Sequence, residues 1–224
     1  DSAHAFCGEY HNKTLGYYSD FAVFSFYATK SITCGEGGAI ITNHKNFSGK
    51  IKSIANNGMS KPAFKRFVNN KYIPWDVYSF GFKANLSDIN ASILGDQINN
   101  YSKIAKRKKN IFNQLKKKLS HIETLFFPKE NKNKYRDYYL FPIGVDKKYR
   151  NKLIEHLLKK KIFVTVNFRS ITELKYYKKK YADKSCPQSL KWGEQVISLP
   201  FHTKITNRQI NLISSEIKKF FKKN

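Results

Sequence analysis

A helical period runs unbroken from Ser87 to Leu119, "SDINASILGDQINNYSKIAKRKKNIFNQLKKKL". Apolar residues at Ile89, Ile93, Ile98, Ile104, Ile111, Leu115 and Leu119 recur near helical spacing. Ser87 stands where an N-cap hydroxyl is needed. The stretch reads as one long helix or two abutting ones, and a helix of that length links two domains. On its N-terminal side, "DFAVFSFY" (20–27) and "GGAIIT" (37–42) read as strands, with a helix expected over 47–56. Residues 56–86 are punctuated by Gly, Pro and Asn and read as a long loop, of a length that suggests function or an interface. On its C-terminal side the order is strand 135–145, helix 149–161, strand 162–168, strand 194–200 and a terminal helix capped by Thr206 or Asn207. The pattern predicts an α/β chain, with one domain over 1–105 and a small α+β domain over 106–224.

Composition narrows the function classes. With 41% hydrophobic and 15% aromatic residues, 224 residues can bury a substantial core. No apolar run approaches a membrane span, and no membrane partner is expected. Three cysteines, Cys7, Cys34 and Cys186, are widely spaced with no CxxC pair, which argues against zinc and against a disulfide framework. Three reduced thiols suit a cytoplasmic protein. Lys and Arg total 42 against 16 Asp and Glu, a formal charge of +26. Such an excess raises nucleic acid as a partner. However, the cations are mostly lysines in helical segments, and no nucleic-acid motif accompanies them. An anionic small substrate is the better use of the positive potential.

One lysine stands apart. Lys30 lies between the two expected strands, in "FSFYATKSITCGEGGAIIT" (24–42), among small and hydroxylated residues. Asp1 and His4 open the chain in "DSAHAFCGEY", and Ser25 precedes Lys30 by five residues. Singly, each has an ordinary reading: a frayed terminus, a satisfied core histidine, a strand hydroxyl bonded to backbone, a loop charge. Residue type alone leaves these readings in place.

The order of blocks changes the balance. "DSAHAFCGEY", "LGYYSDFAVFSFYATKSITCGEGGAIITN", "GFKANLSDINASILGDQI", "YYLFPIGVD", "YYKKKY" and "VISLP" follow one another as in the DegT/DnrJ/EryC1/StrS family. The chain resembles these pyridoxal-phosphate-dependent nucleotide-sugar aminotransferases over nearly its whole length. The resemblance implies an aspartate-aminotransferase-like fold (pyridoxal-phosphate fold type I), with the last part of the large-domain sheet followed by the small domain. It implies Lys30 as the lysine that holds pyridoxal 5'-phosphate as a Schiff base and then moves the proton. That role needs an amine with a depressed pKa. It further implies Asp1 as the carboxylate against the ring nitrogen, His4 at the ring or its phenolic oxygen, and Ser25 as a donor to the phosphate. Asn85 matches an asparagine that reaches the phosphate of the partner subunit's cofactor, which requires a homodimer.

By the same resemblance the substrate is a nucleotide-linked keto-sugar, a 4-keto-6-deoxy hexose, with glutamate as amino donor. The product would feed polysaccharide or lipopolysaccharide synthesis. Related sugar dehydratases carry a histidine at the Lys30 position, so lysine favours transamination. The family's Gly/Thr-rich phosphate loop and ring-stacking aromatic have no counterpart here, and the chain reads as the C-terminal portion of such an enzyme. Asn167, Ser170 and Thr172 replace the family's usual residues near the substrate, while Arg169 and Lys83 are candidates to meet a diphosphate. A catalytically inactive fragment, a dimerisation partner of a full-length copy and a basic nucleic-acid binder remain as alternatives.

Overall fold

A computed structural model describes residues 1–60, 66–129, 134–135, 137–181 and 185–223. The chain divides into two compact units. The first comprises Asp1–Tyr101 with Asn133–Asp137, and the second Ser102–Lys132 with Tyr138–Asn224.

In the first unit, β1 (Glu9–Tyr10) pairs antiparallel with β2 (Lys13–Thr14). The hairpin β3 (Phe21–Ser25) and β4 (Gly38–Thr42) runs in register from Phe21 opposite Thr42 to Ser25 opposite Gly38. Both strands were expected from their aromatic and β-branched content, and both are present. Every strand pairing among the described residues is antiparallel, and β3 and β4 pair only with each other. Ala22 is buried, whereas Phe21, Val23, Ile40 and Ile41 are exposed. Helix α1 (Lys45–Ile54) follows, then the short hairpin of β5 (Phe67–Val68) and β6 (Lys71–Tyr72).

The helical stretch resolves into two helices. Helix α2 (Asp88–Asn99) starts at Ser87, whose hydroxyl accepts from Asn90 N–H at 3.2 Å. It closes at Asn100, and α3 (Tyr101–Leu119) follows directly. β7 (Leu125–Phe126) lies in the second unit, and β8 (Lys134–Tyr135) pairs with β1 in the first.

The second unit is built on β9 (Phe141–Val145), between β7 and β10 (Val196–Leu199). Its helices are α3, α4 (Lys147–Lys159), α5 (Lys175–Lys180), α6 (Pro187–Gln195) and α7 (Asn207–Lys223). Asp146 caps α4 by accepting from Lys148 N–H at 2.9 Å. Thr206 caps α7, and Gln209 answers from the third position: Gln209 N–H donates to Thr206 Oγ1 at 3.2 Å, and Thr206 N–H to Gln209 Oε1 at 2.9 Å. Each satisfies a donor the helix start would leave open. Phe141, Ile143, Ile197, Leu115, Leu119, Leu153, Leu157, Ile210 and Ile217 are fully buried in one continuous core. Each such side chain contributes about 1.5–3 kcal/mol relative to exposure.

The expected strand over 162–168 does not form. Only Thr165 bridges to Ser198, and Phe163 and Phe168 are exposed. The Val- and Phe-rich composition is strand-like, but a single bridge to β10 is all the pairing this segment finds. The expected strand over 194–200 is shorter, because Glu194 and Gln195 end α6.

Candidate active site

Lys30 sits in the connection between β3 and β4, and that connection is fixed at several points. Lys30 N–H donates to Tyr27 O at 2.9 Å. Phe26 N–H donates to Gly37 O at 2.8 Å, and Cys34 N–H to Phe26 O at 3.0 Å. Phe26, Ile32 and Cys34 are buried beneath the loop. Gln97 on α2 donates from Nε2 to Thr33 O at 2.7 Å, and Thr33 N–H donates to Gln97 Oε1 at 3.0 Å. The glycines of "GEGG" are required by the turn. Gly35 has φ +85°, in the left-handed region, and a Cβ on Gly37 would lie 2.6 Å from Cys34 Sγ.

Burial lowers the Lys30 pKa, favouring the free amine. His4 is also lowered, first by loss of hydration and then by the positive charge of Lys30. The two groups therefore share one electrostatic environment, and each is driven toward its neutral form. The turn carrying His4 is anchored to β3: Ser2 N–H donates to Val23 O at 2.9 Å. Asp1 closes that turn by accepting from Ala3 N–H on Oδ1 at 2.9 Å. Ser25 ends β3, and its hydroxyl accepts from Tyr27 N–H at 3.4 Å. The structure brings His4 and Lys30 together directly, while Asp1 and Ser25 are tied to them through backbone. Asp1 also fronts a cleft of about 260 Å³ lined by Tyr10, Thr14, Tyr18 and Phe21, which Lys30 does not line.

Asn85 is exposed, on the segment that leads into α2. Close backbone approach positions that segment. A Cβ on Gly81 would lie 2.1 Å from Gly58 N, so only glycine lets 81–84 lie against 54–58. There Asn57 N–H donates to Phe82 O, Phe82 N–H to Ile54 O, and Ala84 N–H to Ala55 O. Lys83 is exposed in the same strip. In the second unit, Ser170 is buried with its hydroxyl 2.8 Å from Thr172 Oγ1, and the Arg169 guanidinium donates to Glu173 O at 3.3 Å.

The sequence reading missed Asp137. This carboxylate is buried and accepts from Phe6 N–H at 3.1 Å, Ser31 Oγ at 2.8 Å and Tyr101 Oη at 2.8 Å. The Phe6 ring packs edge-on against Tyr101. Cys7, beside this cluster, is pushed up to about 11 by burial and then by Asp137 and Glu9, so it is held as a neutral thiol. Among the described residues, no group of three or more His, Cys, Asp or Glu is placed to hold a metal ion. No helix among them is long and apolar enough to cross a membrane.

This donor set fits pyridoxal phosphate: an amine lowered by burial, an imidazole beside it, a carboxylate and a hydroxyl on the flanking backbone. A family profile described as the DegT/DnrJ/EryC1/StrS aminotransferase family matches residues 1–218. Uncharacterized protein MJ1066 of Methanocaldococcus jannaschii is 33% identical over all of this chain and 60% of its own length. Spore coat polysaccharide biosynthesis protein SpsC of Bacillus subtilis is 27% identical over 99% of this chain and 59% of its own. The chain thus spans about 60% of the length of the curated relatives it matches. Among solved structures, the putative sugar aminotransferase Spr1654 of Streptococcus pneumoniae, in its PMP-form, superposes with TM-score 0.89 at 24% identity, over all of this chain and 58% of that one. Helicobacter pylori PseC, an aminotransferase involved in the biosynthesis of pseudoaminic acid, superposes with TM-score 0.88 at 24% identity, over all of this chain and 59% of that one. These likenesses show the fold, that of the type I sugar aminotransferases. The chain belongs to the DegT/DnrJ/EryC1/StrS aminotransferase family, whose cofactor is pyridoxal 5'-phosphate.

Proposed function

We propose that this chain carries the lysine-bearing part of a pyridoxal-phosphate-dependent aminotransferase that converts a nucleotide-linked keto-sugar to an amino sugar. The observation that carries the reading is the Lys30 amine, lowered by burial on a loop fixed from both sides and sharing its surroundings with His4. Bound pyridoxal phosphate supplies the electron sink that stabilises negative charge at the substrate carbon. Lys30 holds the cofactor, and its free amine takes a proton and returns it. The Asp1 carboxylate keeps the ring nitrogen protonated through a charge-assisted hydrogen bond. His4 meets the ring, and Ser25 Oγ donates to the phosphate. Asn85 serves the partner subunit's cofactor in a homodimer, in keeping with its exposed position.

The substrate proposed is a 4-keto-6-deoxy hexose on a nucleotide, with glutamate as amino donor. Two comparisons support a sugar-linked role: SpsC is named for spore coat polysaccharide biosynthesis, and Spr1654 is described as a putative sugar aminotransferase. The formal charge of +26 suits a diphosphate-bearing substrate. The test is to add pyridoxal phosphate, reduce with borohydride and map the adduct, with Lys30→Ala beside it. A fixed adduct on Lys30, absent from the variant, supports the reading. An adduct spread equally over other lysines, or unchanged in Lys30→Ala, overturns it in favour of an inactive remnant or a dimerising partner.

A further inference from the structure

We propose that Asp137 is a positioning residue for Lys30: its buried carboxylate ties the loop that carries the lysine to the turn that carries His4. The proposal rests on the reading of Lys30 given above. Asp137 gathers donors from three separate segments. Ser31, the residue next to Lys30, donates its hydroxyl to Oδ2 at 2.8 Å. Phe6 N–H, two residues beyond His4, donates to the same oxygen at 3.1 Å. Tyr101 Oη, at the first position of α3, donates to Oδ1 at 2.8 Å.

One carboxylate oxygen thus bridges the Lys30 loop and the His4 turn, and the other is held from the start of a helix. Phe6 adds a second restraint, since its ring meets Phe24, Phe26 and Tyr101 edge-on. A buried carboxylate is expensive to desolvate unless its lone pairs are filled. Three donors engage both oxygens here, and the result is a fixed spacing between two chain segments that local sequence does not couple. Gln97 holds the far side of the same loop at Thr33. Lys30 lies between Tyr27, to which its own N–H is bonded, and these two clamps. Its amine stays in the partly buried position only while Ser31 is held down.

The experiment is a site-resolved pH profile of Lys30 in the full chain without cofactor. The amine is modified with a trace acylating reagent and the Lys30 peptide is quantified by mass spectrometry. Parent, Asp137→Asn, Ser31→Ala and Leu94→Ala are compared. Leu94 is buried on α2 and is not one of the three Asp137 donors, so its truncation loosens the first unit while keeping those donor groups. Asp137→Asn should move the Lys30 midpoint upward by half a unit or more, leaving about threefold less free amine at a given pH. Ser31→Ala, the milder change, should move it in the same direction. Leu94→Ala should leave it in place. Coincident profiles for parent, Asp137→Asn and Ser31→Ala overturn the proposal. So does an equal shift in Leu94→Ala, which would mark general loosening. The borohydride mapping of the parent is read separately. Its failure removes the aminotransferase reading while the Lys30 profile still reports on Asp137.

Discussion

Gln97 and Thr33, 64 residues apart, exchange two hydrogen bonds through one side-chain amide and the N–H and C=O of one backbone residue. Both atoms of the amide are used, so a substitution that keeps only one function fails. Gln97→Ala leaves a part-buried Thr33 N–H and C=O without these partners, which costs about 1–3 kcal/mol. Gln97→Glu keeps the acceptor but sets a second acceptor against Thr33 O, and should destabilise comparably. Urea unfolding gives the magnitude. Hydrogen exchange at Thr33 and Cys34 shows whether the loss is local to the Lys30 loop.

His4 titrates below its ordinary value because burial strips its hydration and Lys30 repels its cation. Lys30→Met removes the second cause and leaves the first. The His4 midpoint, followed by NMR of the ring protons, should rise part of the way toward 6.5. The sign for stability follows. Above the ordinary value His4 is neutral in both states and contributes no pH dependence. As pH falls from there to the lowered folded value, the unfolded chain binds the proton first and folding loses stability. Lys30→Met should flatten that slope. A His4 midpoint unmoved by the substitution would mean the lysine charge does not reach the ring.

Gly81 has no room for a side chain. Its Cβ would meet Gly58 N, Asn57 C and Ile54 O, all of them backbone, so nothing can swing aside. Gly81→Ala should destabilise the first unit at the upper end of the roughly 1–3 kcal/mol seen for overpacking. It should also expose the Asn57, Phe82 and Ala84 amides to exchange. If Asn85 acts on a partner subunit, self-association measured by sedimentation should weaken in Gly81→Ala more than in Asn85→Ala, because the whole segment shifts.

The elements that local chemistry dictates were legible. The hydroxyl of Ser87, the cap of α7 narrowed to Thr206 or Asn207, and the aromatic run of β3 all depend on neighbours within a few residues. So was the place of Lys30 between two strands. The clamps that hold the loop were not legible. Gln97 to Thr33 spans 64 residues and Asp137 to Phe6 spans 131, and polar pairs of that separation leave no period in a sequence. Residues 162–168 misled in the opposite sense. Their composition favours a strand, but strand formation needs a ladder to join, and only Thr165 finds one.

Glu216 lies buried on α7, where α4 packs against it. Lys219 Nζ donates to Oε1 at 2.7 Å, while His156 Nε2 stands 3.2 Å from Oε2, off the line a hydrogen bond needs. The Lys219 hydrogen bond lowers the carboxyl below its ordinary 4.5, against the opposing effect of burial, and the charges of Lys219, Lys160 and His156 add to the lowering. A carboxylate lowered on folding stabilises the native state above its unfolded value, and that contribution is lost as pH falls through the folded value. The second unit should therefore weaken from about pH 5 downward. Glu216→Gln removes the charge that Lys219 and His156 face and should cost about 1–2 kcal/mol near neutral pH, the scale of a hydrogen bond to a charged group. Its stability should then run nearly level across the acid range where the parent declines. Thermal unfolding followed at Trp192, which lies edge-on to Phe126 in the same unit, measures both. Parallel acid profiles for parent and variant would remove Glu216 as the titrating group.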